Sequence, residues 1–192
     1  MIYLNNYGWN DKLSQLKQES TYNALTHGRI SIVHRTCYEV VSENGLFQCE
    51  LTGNMMYGKS DFELPCTGDW VLFQPFDEHK GIIVDMLPRE RTLYRKKNGT
   101  VADKQAIASY VDKAFIVQSL DDNFNVRRAE RFMVQMQEEN INPVLVFNKA
   151  DLGFDEQKVE EQIRHIARQI PVFFTSIHQP QTILQLLSLI HI

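Results

Sequence analysis

The chain has 192 residues, 43% of them apolar and 23% charged, with six prolines. That length exceeds what one small domain of about 100 residues needs, and the composition is that of a globular protein able to bury real cores, so two folded domains are expected and a disordered chain is excluded. The net charge of -4 gives no overall attraction to nucleic acid or to an acidic membrane surface, so any such contact must come from a local patch.

Cys37, Cys49 and Cys66 are odd in number, far apart, and lack the C-x-x-C spacing of zinc or redox sites, so they read as buried free thiols. The N-terminus, MIYLNNYGWNDKL, has no basic start followed by an apolar run. No stretch reaches the roughly 18 apolar residues of a membrane span. A cytoplasmic monomer is expected.

Between Asp11 and Leu25, Leu13, Leu16, Tyr22 and Leu25 recur at near-helical spacing, predicting a short lead-in helix. From Ala24 to Leu93 the apolar residues come in short runs, GRISIVH, YEVVSENG, LFQCELTG, GDWVLFQPF and KGIIVDMLP, separated by turn signals such as Asn44-Gly45 and Gly53-Asn54. This punctuation predicts hairpins closed into an OB-like antiparallel β-barrel over residues 1–100.

The texture changes after Lys104, with a boundary near residues 96–108. The run VDKAFIVQS predicts a strand, and NVRRAERFMVQMQEEN a helix capped by Asn125 with Val126, Ala129, Phe132, Met133 and Met136 on its core face. A strand PVLVFN, a helix DEQKVEEQIRHIARQ with Val159, Ile163, Ile166 and Ala167 on one face, a strand IPVFFTS and the tail TILQLLSLIHI follow. The β-α alternation predicts a parallel, helix-flanked sheet over residues 105–192. His165 has no companion at metal-ligand spacing and receives no role.

Asn148, Lys149, Ala150 and Asp151 form N-K-x-D directly after an apolar strand, where such sheets place ligand loops. Guanine presents two adjacent donors, its ring N–H and its amino group, and one carboxylate accepts both. Adenine turns a ring lone pair toward the same carboxylate and is repelled. Asp151 is therefore the candidate guanine reader. Asn148 serves the other base edge or ties neighbouring loops, and the Lys149 stem can lie along the purine face. The next strand ends in Thr175-Ser176-Ile177, matching the Ser-Ala-x loop of GTPases, whose backbone N–H points at the guanine carbonyl. Ile177 stands where Ala is usual.

Upstream, Gly53 to Ser60 matches the phosphate-loop pattern G-x-x-x-x-G-K-S letter for letter. A working phosphate loop must open a helix, yet Pro65 and Gly68 follow within one or two turns, and no D-x-x-G occurs between Ser60 and Asn148. The segment reads as a decoy hairpin turn. A conventional-order GTPase using Gly58, Lys59 and Ser60 is the third-ranked alternative.

Together, GDWV in a barrel, LPRERTLYRKK, VDKAFIV, R-A-E-R-F, INPVLVFNKADL and VFFTS resemble the ribosome small-subunit-dependent GTPase family known as RsgA or YjeQ, over nearly the whole chain. The resemblance implies a circularly permuted GTPase domain, in which N-K-x-D and the Ser-Ala-x loop precede the phosphate loop and switches, with a zinc-binding domain after them. It implies GTP hydrolysis with magnesium during maturation of the small ribosomal subunit, the barrel touching ribosomal RNA. It places Asn148, Lys149, Ala150, Asp151, Ser176 and Ile177 at the guanine. The phosphate loop, switches and zinc ligands that the family carries later do not occur in these residues, so the chain reads as an N-terminal fragment without catalytic or metal residues of its own, inactive alone. Arg89, Arg91, Tyr94, Arg95, Lys96, Lys97 and Lys104 form a basic junction, read either as an RNA contact or as a solvated interdomain linker. The competing function is a nucleic-acid-binding OB module joined to a non-catalytic α/β domain.

Overall fold

Five short strands, with alternating burial in β1, β3 and β5, curl into a closed barrel: β1 (Thr26–Val33), β2 (Tyr38–Ser42), β3 (Gly45–Leu51), β4 (Trp70–Asp77) and β5 (Lys80–Met86), in the order β1-β2-β3-β5-β4 with β4 returning to β1. The computed structural model describes residues 1–57, 59–96, 104–122, 124–165 and 170–190; Gly58, Lys97, Ile166 and Ala167 lie outside them. Contacts divide the chain into two units, Met1–Val111 and Asp112–Ile192.

In the first unit, inward positions such as Ile30, Val40, Phe47, Cys49, Val71, Phe73 and Ile83 form the barrel core, while alternate residues such as Leu46, Gln48 and Glu50 face out. Gly28 lets β1 and β2 approach closely, because a Cβ there would sit 2.5 Å from Val40 Cγ1 and 2.7 Å from the Val41 carbonyl. The Asn44-Gly45 hairpin forms between β2 and β3, with Gly45 at φ +125°. Gly53-Asn54 does not make one. It opens α2 (Gly53–Met56), part of a crossover that carries the chain from β3 past β5 to β4, so that β3 and β5 pair in parallel. The barrel is therefore OB-like with one parallel pair, which hairpin punctuation alone does not reveal.

The lead-in helix α1 spans Asp11–Glu19, shorter than the apolar spacing implies, and its cap Asn10 accepts a hydrogen bond from Leu13 N. Leu13 packs with Leu4, Trp70, Leu72 and Leu87 in a second cluster under the barrel. At the junction, β6 (Leu93–Lys96) and β7 (Lys104–Ala108) pair antiparallel.

In the second unit, β8 (Lys113–Ser119), β9 (Asn142–Asn148) and β10 (Val172–Thr175) make a parallel sheet in the order β10-β9-β8. The helices are α3 (Val126–Glu138), α4 (Glu156–Ile163) and α5 (Pro180–Leu187). Four successive β9 residues, Val144 to Phe147, are buried, as a parallel strand covered on both faces requires. Asn125 caps α3, accepting from Arg128 N at 3.2 Å. Ala129, Met133 and Met136 are buried, whereas Phe132 is 46% exposed: at about 100° per residue it falls roughly 60° from the centre of the apolar stripe, on its edge.

Candidate functional site

Parallel register brings the ends of the three strands of the second unit to one edge. Ser119 stands opposite Asn148, and Asn148 opposite Thr175, so the loops after β8, β9 and β10 open side by side, the usual position of a ligand crevice in such a sheet. Leu120 N donates to the Asn148 carbonyl at 2.9 Å, which fixes the first loop to the second.

The N-K-x-D loop turns sharply. Lys149 adopts the left-handed conformation (φ 64°, ψ 34°) and Ala150–Leu152 forms a single 3-10 turn. A non-glycine residue in this region is uncommon, and it redirects the chain so that Asp151 stands exposed beside the next loop. There the Ser176 hydroxyl donates to Asp151 Oδ1. Ser176 is fully buried; its Oγ accepts from His178 N at 3.0 Å, and its own N–H donates to Thr182 Oγ1 at 3.1 Å. Each of these bonds makes the loop rigid. Thr175 Oγ1 donates to Asn148 Oδ1 at 3.3 Å, so the asparagine ties β9 to β10.

The Ser176 hydroxyl, with lesser help from His178 and Lys149, holds the Asp151 carboxyl below the usual aspartate range. An ionised, exposed acceptor is what a base with two donors requires. Beside it, Ile177 is 72% exposed, and among the described residues its backbone N–H has no hydrogen-bond partner. The arrangement thus offers a fixed carboxylate and a free backbone donor a few residues apart. Ala150 is half-buried against the sheet core.

One residue at this edge escaped the sequence reading. Asp121, just after β8, accepts from Lys149 Nζ at 2.7 Å through Oδ2 and from Ser119 Oγ at 2.6 Å through Oδ1. Its only signal in the sequence is an acidic turn, Asp121-Asp122, after an apolar strand, and such turns are ordinary.

The basic junction belongs to the first unit and is less uniformly basic in space than in sequence. Arg89 is turned inward: its side chain is 10% exposed, it clamps the fully buried Asp69 through Nε and Nη2, and it donates to the carbonyls of Phe62 and Leu64. Arg91 bonds the Val111 carbonyl and Glu90. Tyr94 is buried, edge-on to Phe62, with Lys104 Nζ 4.0 Å from its ring centroid. Arg95 is exposed and donates to Gln105. Lys96 ends β6.

In the phosphate-loop lookalike, helix α2 precedes Lys59 and Ser60 instead of following them. Both the N–H and the hydroxyl of Ser60 are taken by Glu63, at 2.9 and 2.7 Å. His165 pairs with Glu130 at 2.5 Å. Among the described residues no group of three or more His, Cys, Asp or Glu could hold a metal ion, and no helix is long and apolar enough to cross a membrane.

The family described as RsgA GTPase matches residues 86–191. A relative named small ribosomal subunit biogenesis GTPase RsgA 1, from Bacteroides thetaiotaomicron, is 72% identical over 94% of this chain and 51% of its own length. Another, named small ribosomal subunit biogenesis GTPase RsgA, from Methanosarcina acetivorans, is 33% identical over 86% of this chain and 44% of its own. The chain thus spans about half the length of the curated relatives it matches. Among solved structures, YjeQ from Thermotoga maritima superimposes with a TM-score of 0.58 at 23% identity, covering 79% of this chain and 51% of that one. YloQ, described as a circularly permuted GTPase, gives 0.56 at 21% identity, covering 87% and 57%. At these identities the likeness establishes the fold: an OB-like barrel followed by a partial α/β domain of the permuted-GTPase kind.

Proposed function

Because the chain belongs to the RsgA GTPase family, we propose that the protein binds and hydrolyses GTP, with magnesium, in the maturation of the small ribosomal subunit, and that these residues supply its guanine-reading and RNA-contacting parts. The observation that carries the reading is the meeting of two loops at one sheet edge, where Ser176 holds the Asp151 carboxylate.

In this reading Asp151 accepts from the ring N–H and the amino group of guanine, two charge-assisted bonds to one group. The Ile177 N–H donates to the guanine carbonyl, where a backbone donor tolerates the exchange of Ala for Ile. Asn148 holds the two loops at their spacing, Lys149 lays its stem along the base, and Ala150 packs the turn onto the sheet. Phosphate and metal chemistry is assigned to residues outside this stretch, and zinc is proposed only there. The barrel and part of the junction are the proposed contacts to ribosomal RNA in the cytoplasm: the exposed Arg95 and the half-buried Lys104, with Lys96 and Lys97 proposed from the sequence alone. Arg89 and Tyr94 are left out of that surface because their polar and aromatic faces are already engaged within the unit.

The test is Asp151→Asn in the full-length protein. An amide can donate where xanthine presents a carbonyl, so guanine affinity falls and the preference moves toward xanthine nucleotide by at least about tenfold, as expected for exchanging a charge-assisted pair. An unchanged guanine-to-xanthine ratio rejects the assignment.

A further inference from the structure

We infer that Asp121 is a positioning residue for base recognition: by holding the Lys149 ammonium, it keeps that charge off the Asp151 carboxylate. This rests on the guanine-site reading above.

Two features of the loop create the problem that Asp121 answers. Lys149 and Asp151 are two residues apart on a turn with one left-handed residue and a 3-10 step, and Lys149 is close enough to act on the charge of Asp151. A lysine has four rotatable side-chain bonds and a compact ammonium, and the nearest free carboxylate is its default partner. If that partner were Asp151, the lysine would compete directly with the two guanine donors for the same oxygens.

The structure gives Lys149 another partner. Asp121 Oδ2 lies 2.7 Å from Nζ. The carboxylate is itself held by Ser119 Oγ, which donates to Oδ1 at 2.6 Å, and the backbone of Asp121 is tied by Phe124 N, which donates to its main-chain carbonyl at 2.9 Å. Asp121 is also the less exposed of the two partners, with a side-chain exposure of 24% against 50% for Lys149. The acid is therefore the fixed member and the lysine the mobile one. Such a pair adds little to stability when half-exposed, but it sets where the lysine spends its time. With the ammonium anchored just after β8, the Asp151 oxygens are left to Ser176 and the base.

Removing a negative charge near a nucleotide also changes its attraction for the phosphates. The useful readout is therefore a ratio in which the phosphates cancel: GDP against inosine diphosphate, which lacks only the amino group that Asp151 reads. Full-length protein is titrated with both, as wild type, Asp121→Asn, Asp121→Ala, Lys149→Met and Lys149→Met with Asp121→Asn. Asparagine keeps the acceptor for Ser119 and removes the charge. Both Asp121 variants should lower the GDP-to-inosine-diphosphate discrimination by about threefold, within the range of a half-exposed ion pair. The effect should shrink in about 0.5 M salt, where ion pairs are screened, and Asp121→Asn should change nothing further once Lys149 is methionine.

Discrimination equal to wild type in both variants overturns the inference. So does a loss confined to Asp121→Ala, which marks a structural role through Ser119, or a loss that persists in the Lys149→Met background. If wild-type protein itself does not discriminate the two nucleotides, the base-site reading fails and this inference with it, an outcome distinct from failure of the Asp121 variants alone.

Discussion

Arg89→Met separates a structural arginine from an RNA-binding one. The guanidinium makes three bonds to Asp69, from Nε to Oδ1 at 2.9 Å and to Oδ2 at 3.1 Å and from Nη2 to Oδ2 at 2.6 Å, and it also satisfies the carbonyls of Phe62 and Leu64. Asp69 is fully buried and also accepts from Cys66 N at 2.7 Å. Methionine fills the volume but leaves a buried carboxylate without its cation and two carbonyls without donors. Breaking a buried pair from one side costs about 3–5 kcal/mol, a large share of the roughly 5–15 kcal/mol that holds a domain together. Both tryptophans, Trp9 and Trp70, lie in the barrel unit, so their fluorescence during urea unfolding reports on that unit. The midpoint should fall by about 2 M or the unit should be unfolded outright. Arg95→Met, at an exposed site, should shift stability by no more than about 0.5 kcal/mol. Asp69→Ala combined with Arg89→Met should cost less than the sum of the single changes, with a coupling of about 1–3 kcal/mol. Arg89→Lys keeps the charge and should bind RNA as wild type wherever it folds. A loss below about 1 kcal/mol for Arg89→Met, with weaker RNA binding and a salt slope reduced by about one, would refute the inward-facing assignment.

Lys59→Ala should leave nucleotide affinity of the full-length protein within about twofold, since the Ser60 donors are bound to Glu63 and no helix follows to receive phosphate; a loss above about tenfold revives the conventional-order reading. Burial pushes the Cys49 and Cys66 thiols up to about 12, so in folded protein at pH 8 a disulfide reagent should consume one thiol promptly, that of Cys37, and all three in urea. Prompt reaction of all three in the folded state would contradict the buried core. The 192 residues alone should bind labelled GTP weakly and turn none over, because a few base contacts of about 0.5–3 kcal/mol each stand against the phosphate contacts that usually dominate. They should still bind small-subunit RNA with an affinity that falls steeply with salt. Tight GTP binding with turnover, or RNA binding indifferent to salt, counts against the division of labour proposed above.

The sequence displays what is periodic or local. Alternation in LFQCEL marks inward and outward residues, and Asn125 before an apolar stripe marks the start of α3. It does not display pairing between strands distant in sequence, so the parallel contact of β3 with β5 and the conversion of Gly53-Asn54 from turn to crossover helix emerge only in three dimensions. The same division runs through the candidate site. N-K-x-D and Thr-Ser-Ile are each visible as letters after a strand, and parallel register accounts for their meeting. Asp121 is an unremarkable acid until Lys149 folds onto it.

The junction shows the converse. A list of basic residues counts charges, whereas binding depends on which charges remain unpaired at the surface. Arg89 carries as much formal charge as Arg95, yet a buried carboxylate 20 residues earlier has claimed it, and Tyr94 offers its ring to Lys104 rather than to solvent. In a chain of net charge -4, the proposed RNA contact therefore draws on fewer groups than the sequence suggests, with Arg95 the exposed junction arginine among the described residues. Because each phosphate neutralised contributes a similar increment to the salt slope, that slope counts the available cations directly. A contact made only by the exposed part of the junction predicts a smaller slope than its full basic content would give.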